Sequence, residues 1–227
     1  MDPNEPARRH PHHLLWLIPA VLLLAGAGIF LVSRRDGGNL ATSKSSPTTP
    51  AFAFRLEKVA PVSVTSADPS KLIGPARTAA QGIKRIIDQL YTEAFLVPSN
   101  WTTGSYANVW PLFSGGAVAG AKAHMDSLTA GASAGSRWLT IKPGVGNLEV
   151  RVLLDSKNQP VTAVATVRFT AIATGRDGTK TALFSDARYV LRVATQGWRI
   201  VAFTVDRADH PLATGSSPSL SPSAATS

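Results

Sequence analysis

The chain has no cysteine, which excludes disulfides, thiolate metal sites, cysteine nucleophiles and a lipid-modified cysteine at a membrane. It is also poor in charge. Only 16% of its residues are charged and only 7% are aromatic. The first figure is below the usual quarter for a globular domain. The second argues against a base-stacking platform, and no nucleic-acid motif accompanies it. Acids are the scarcer sign, 14 against 23 Lys and Arg, leaving a net charge of +9. From Arg55 onward 18 basic residues face 11 acidic ones, and they are scattered rather than blocked. That pattern keeps a domain soluble and gives it a mild attraction for anionic surfaces.

What the chain does have is one long uncharged run. Residues 1–13 form a short basic tail, and Leu14–Val32 then continues for 19 residues without a charge. At 1.5 Å per residue the run reaches about 28 Å, the thickness of a bilayer core. Trp16 sits at interface level, and Arg34, Arg35 and Asp36 stop the run. A small-residue step at Ala25–Ala27 fits a signal-peptidase site, but four apolar residues follow it and the run is longer than a signal sequence needs. The expectation is an uncleaved transmembrane helix over 14–32 whose partner is the lipid bilayer. Arg8 and Arg9 on one side nearly balance Arg34, Arg35 and Lys44 on the other, so charge does not orient it. Residues 33–54, rich in Gly, Ser, Thr and Pro, read as a flexible stalk.

Residues 55–207 read as one α+β domain. Phe52–Ser66 is partly apolar and predicts a short strand or extended arm against it. Gly74-Pro75 opens a helical pattern carried by Ile83, Ile86, Ile87, Leu90, Tyr91, Ala94 and Phe95, ending near Pro98. Ser105–Phe113 reads as a short helical turn. Ser114 is a candidate N-cap for a small-residue helix reaching Leu128. From Arg137 the apolar period becomes two, in stripes at 148–154, 161–169, 187–193 and 198–202. About three helices on one face of a curved antiparallel sheet of about four strands follows. Residues 208–227, rich in Ser, Thr, Pro and Ala, read as a disordered tail.

The long first helix, the Trp/Tyr/Pro-interrupted segment after it and the closing stretch YVLRVATQGWRIVAFTVDR resemble the nuclear transport factor 2-like superfamily. Its SnoaL-like cyclases and ketosteroid isomerases belong to the same group. The resemblance covers about Pro75–Asp206 and implies a cone-like domain. With a membrane helix in front, the chain also resembles bacterial proteins associated with lipid-import (Mce) complexes and scaffold domains of type IV secretion machines. Those relatives imply an extracytoplasmic domain that binds envelope proteins, with self-association a further option.

Enzymes of that superfamily place a carboxylate or His on the concave sheet face. Parity assigns to that face Val161, Ala163, Ala165, Val167, Phe169, Ala187, Tyr189, Leu191, Val193, Trp198, Ile200 and Ala202, with no Asp, Glu or His among them. His124 is read as a partly exposed polar residue, and Asp126 and Glu93 as solvated helix-face acids. No metal spacing, phosphate loop or nucleophile elbow occurs, so neither a catalytic residue nor a cofactor is expected. Trp101, Tyr106, Trp110 and Phe113 are the candidates for a cavity mouth or partner surface, against the alternative that they simply pack a short helix. A non-catalytic anchored assembly component leads. A small-molecule or lipid pocket and a SnoaL-like cyclase or isomerase stand as alternatives. Two local expectations are sharp. Trp198 should lie in the core, and a three-residue loop Arg176-Asp177-Gly178 should set Phe169 opposite Ser185 with a positive φ at Gly178.

Overall fold

The computed structural model describes residues 52–65 and 68–213. The expected span at 14–32, the tail 1–13 and most of the stalk and C-terminal tail lie outside them. Among the described residues no helix is long and apolar enough to cross a membrane.

The described residues are α+β, with a five-stranded mixed sheet ordered β1 to β5. Strand β1 (Arg55–Ser63) leads to α1 (Pro69–Tyr91), a π-helical turn at Thr92–Leu96, and four short helices. These are α2 (Pro98–Thr103), α3 (Gly115–Ala123), α4 (Met125–Leu128) and α5 (Ala134–Arg137). The meander β2 (Trp138–Leu154), β3 (Pro160–Gly175), β4 (Lys180–Ala194) and β5 (Gly197–Leu212) completes the chain. The expected sheet of four strands gains a fifth, because β1 adds to β2 in parallel, from Arg55↔Asn147 to Ser63↔Leu154.

Helix α1 starts earlier than Gly74-Pro75. Asp68 caps it by accepting from Ser70 N at 2.9 Å, and Pro69 takes the first position, where its missing N–H costs least. The backbone N–H donated by Ser70 pulls the Asp68 carboxyl below its ordinary pKa. Leu72, Ala76, Ala79, Ala80, Ile83, Ile87 and Leu90 repeat at helical spacing and are buried on β1, β2, β3 and β5. The helix expected over Ser114–Leu128 breaks at His124, and Ser114 makes no side-chain cap.

The domain boundaries also move outward. Phe52 and Phe54, within the stalk boundary above but also in the arm expected to lie against the domain, are core residues. Phe52 N donates to Thr92 Oγ1 (3.2 Å) and Phe54 N to Asp88 Oδ1 (2.8 Å), tying the arm to the end of α1. Their rings fill the space above Gly146, where a Cβ would collide with both. At the other end β5 runs to Leu212, past the expected limit at 207.

The β3–β4 hairpin follows parity. Phe169 opposes Ser185, Val167 opposes Ala187, and Gly178 has φ +82°. Phe169, Ala187 and Tyr189 lie under the helices, while Asp186 and Arg188 are exposed on the other face. Two members of the expected inner stripe, Val161 and Val193, are 37% and 52% exposed because they lie at the far end of the sheet. Trp198 touches α1, where a Cβ on Gly82 would meet its ring at 3.2 Å, but it is only half-buried.

Candidate functional site

Strand β5 decides what lies on the inner face. Val193 pairs with Trp198 and Leu191 with Ile200, but Val190 pairs with Ala202. Val201 is the extra residue of a β-bulge, and a bulge reverses which residues point inward. Before it, Trp198 and Ile200 face the helices. After it the odd residues do so: Tyr189 opposes Phe203, Ala187 opposes Val205, Ser185 opposes Arg207 and Leu183 opposes Asp209. Ala202, expected inside, is exposed. The inner face therefore contains an acid, contrary to the parity argument.

That acid is already engaged. Arg207 Nε and Nη2 donate to the two oxygens of Asp209 at 3.0 and 3.1 Å, a bidentate pair. Arg207 Nη1 donates to the carbonyls of Asp126 (2.8 Å) and Thr129, and the guanidinium lies over the Phe95 ring at 5.6 Å. Arg137, resting over Trp138 at 4.1 Å, adds a longer contact to Asp209 at 3.4 Å. Both carboxylate oxygens thus accept from N–H donors, Oδ1 from Arg207 and Oδ2 from Arg207 and Arg137. The cluster lines a polar groove of about 300 Å³ with Asp126, Ser127 and Ser133. Its chemistry is that of a clamp, joining the α4–α5 loop to the last strand.

Further along the layer between α1 and the sheet, the interior is filled by Phe52, Phe54, Tyr91, Phe95, Phe169 and Tyr189, with ring centroids 4.7–6.3 Å apart among Phe52, Phe54, Tyr91, Phe95 and Phe169. Tyr91 Oη lies 3.1 Å from Ser185 Oγ and 3.3 Å from Tyr189 Oη, so three buried hydroxyls satisfy one another. Burial raises the pKa of Tyr91, and burial together with the adjacent Tyr91 raises that of Tyr189 further. Groups that hold their protons so firmly are poor bases at neutral pH.

The aromatic candidates are brought together, but as packing. Trp101, Tyr106 and Phe113 are buried, and Trp110 is half-buried. Tyr106 Oη donates to Gly131 O at 2.9 Å, and Phe113 meets Phe203 edge-on at 5.7 Å. Ser114 N donates to Ile200 O (2.8 Å), which seats this segment on β5 beside the bulge. Trp101, Tyr106 and Phe113 thus pack inside the domain, and Trp110 alone of the four stays half-exposed. His124 is exposed, 6.1 Å from the Phe203 ring. Asp126 accepts from Ala132 N (2.9 Å), and Glu93 accepts from Asn100 and Asn108. Among the described residues no cluster of three His, Asp or Glu could hold a metal. The residues that sequence reasoning missed are Arg207 and Asp209. The apolar sequence itself carried a signal, since its parity switches from Trp198 and Ile200 to Phe203 and Val205. No family model, curated protein or solved structure matches the chain.

Proposed function

We propose that this chain is a non-catalytic domain, anchored by Leu14–Val32 and lying outside the cytoplasm, that docks into a larger bacterial envelope assembly of the transport or secretion type. One observation supports this reading above the others: the layer between α1 and the sheet is filled by aromatic side chains. A nuclear transport factor 2-like enzyme needs a vacant chamber with a free acid or base. Here the space is taken, and the inner-face acid Asp209 is bound to Arg207. The helix-on-sheet order is compatible with that superfamily and with a cone-like form of it. The ligand-binding alternative draws on the polar groove at Arg137, a half-exposed cation that makes a long contact with Asp209 at 3.4 Å. A lipid tail would find few apolar contacts there.

Two measurements test the proposal. The chain has no cysteine of its own, so Ser45→Cys and Ser217→Cys report orientation directly. Both should react with a membrane-impermeant thiol reagent in intact cells, and silence at both would reverse the topology. Membranes solubilised in mild detergent should release the protein in a complex larger than one chain and its micelle, with a partner in fixed stoichiometry. A monodisperse monomer, from cells in which the protein is functional, would sink the docking reading.

A further inference from the structure

The end of the sheet formed by the β2–β3 and β4–β5 turns combines exposed apolar side chains with cations that have no carboxylate partner among the described residues. On its inner face Val161 is 37% and Val193 52% exposed, and Val193 stands opposite the half-buried Trp198. On its outer face Arg192 stands directly opposite Arg199. Like charges directly opposite each other destabilise a strand pair. Neither guanidinium has a carboxylate partner among the described residues. Lys157 is exposed in the adjoining turn. The one acid of that turn, Asp155, is used locally, its Oδ1 accepting from Lys157 N and Gln159 N at 2.8 Å each. The Arg199 guanidinium donates only to the Trp198 carbonyl (2.9 Å) and to Gln196 Oε1 (3.3 Å), so its charge stays uncompensated. Two such arginines beside exposed valines and an indole fit a surface that supplies anionic groups above an apolar layer.

We infer that this tip docks on anionic lipid headgroups of the membrane that carries the chain, with Arg192, Arg199 and Lys157 on the phosphates and Val161, Val193 and Trp198 against the acyl boundary. The inference rests on the anchored reading above. Residues 33–51 number 19, and even fully extended they span no more than about 65 Å. The chain enters the sheet where Arg55 meets Asn147, seven residues along β2 from Leu154 at the tip. At a strand rise of about 3.3 Å that is roughly 23 Å. The tip is within reach of the bilayer, and the tether keeps its local lipid concentration high. An acidic protein partner would offer the same charge without the acyl layer, and it becomes an outcome of the test.

The full chain, carrying Val193→Cys labelled with an environment-sensitive fluorophore, is reconstituted into vesicles of phosphatidylcholine alone or with phosphatidylglycerol. The label should emit at shorter wavelength and several-fold more strongly in the anionic vesicles, and added salt should return it to the neutral-lipid spectrum. A label at Lys180→Cys, at the opposite end of β4, should not respond. Arg192→Glu should abolish the response. That change converts the opposed arginines into an attractive pair, so the domain keeps its fold, as circular dichroism will show. Equal Val193→Cys spectra in the two lipids would overturn the inference and leave an acidic protein partner as the occupant. A response that survives Arg192→Glu would overturn the assignment of the tip arginines to the phosphates. Carbonate extraction of the same vesicles reads the anchor separately, since loss of the chain to the supernatant defeats anchoring whatever the label does.

Discussion

The hairpins β3–β4 and β4–β5 share a strand and differ in one residue. From Thr162↔Arg192 to Thr174↔Lys180 the first pairs without a shift, and from Val161 to Ala173 its odd residues point inward. The second carries the bulge at Val201, which turns Ala202, Thr204, Asp206 and Ala208 outward and brings Phe203, Val205, Arg207 and Asp209 to the inner face. The uninterrupted hairpin makes a purely apolar floor with a few satisfied hydroxyls. The bulged one makes a floor that ends in an ion pair, and the α4–α5 loop is fastened to it. One inserted residue therefore determines which polar pair meets the helices: with it Arg207 faces inward beside Asp209, and without it Asp206 would face inward with no arginine beside it on the strand.

Each hairpin can be broken in its own way. In the uninterrupted one, Phe169 touches Phe52, Phe54, Tyr91 and Phe95. Phe169→Ala should cost about 3–5 kcal/mol, by lost burial and the cavity left behind. That is a large part of the roughly 5–15 kcal/mol that holds an ordinary domain together. Urea unfolding followed by circular dichroism would check it, and a loss below about 1 kcal/mol would mean the aromatic layer is not the core.

In the bulged hairpin, Arg207→Met should cost about 3 kcal/mol, because it leaves the partly buried Asp209 without its bidentate donor. Adding Asp209→Leu should recover most of that loss, since a pair of apolar residues asks for no partner. Stability curves for the two single variants and the double variant measure the coupling. Additive losses would show that the pair does not act as a unit. The smaller packing effect is at Trp198, which lies on Gly82 of α1 but is only half-buried. Trp198→Ala should cost about 2 kcal/mol rather than the full value of a core tryptophan. The shift in urea midpoint relative to Phe169→Ala checks that order.

The same contrast explains what was legible in advance. Stripe parity and a glycine at the turn fixed the β3–β4 register because a slip of one residue would have exposed every apolar side chain. In β5 the rule was applied across a bulge, and it went wrong from Ala202 onward. The clamp stayed hidden for that reason: Arg207 and Asp209 look like a soluble strand end until the parity switch is read. Phe52 and Phe54 were legible in part, since the apolar segment from Phe52 was expected to lie against the domain as a strand or arm, and β1 forms there. They follow a Gly/Ser/Thr/Pro segment, and only long-range contacts with Gly146 and α1 show that they belong to the core. Of the four aromatics between Trp101 and Phe113, Tyr106 and Trp110 meet each other and Phe113 packs on β5, a difference that their closeness in sequence does not reveal.

The buried hydroxyls of Tyr91 on α1 and Tyr189 on β4 add a pH dependence that is absent at neutral pH. Burial raises the Tyr91 pKa, and burial plus Tyr91 raises that of Tyr189, relative to the ordinary value of 10.0 that each has in the unfolded chain. Below about pH 10 both states hold these protons, so the two tyrosines add no pH dependence. As the pH rises beyond that point the unfolded chain releases protons that the folded one retains, and stability falls. The fall continues until the folded-state values are reached. Tyrosinate absorbance recorded alongside circular dichroism should therefore show Tyr91 and Tyr189 ionising only as the domain unfolds. In the Tyr91→Phe/Tyr189→Phe variant the alkaline loss of structure should move to higher pH. Tyrosinate absorbance from both residues near pH 10 with the native spectrum intact would mean that the hydroxyl layer is open to water. The filled interior on which the non-catalytic reading rests would then be wrong.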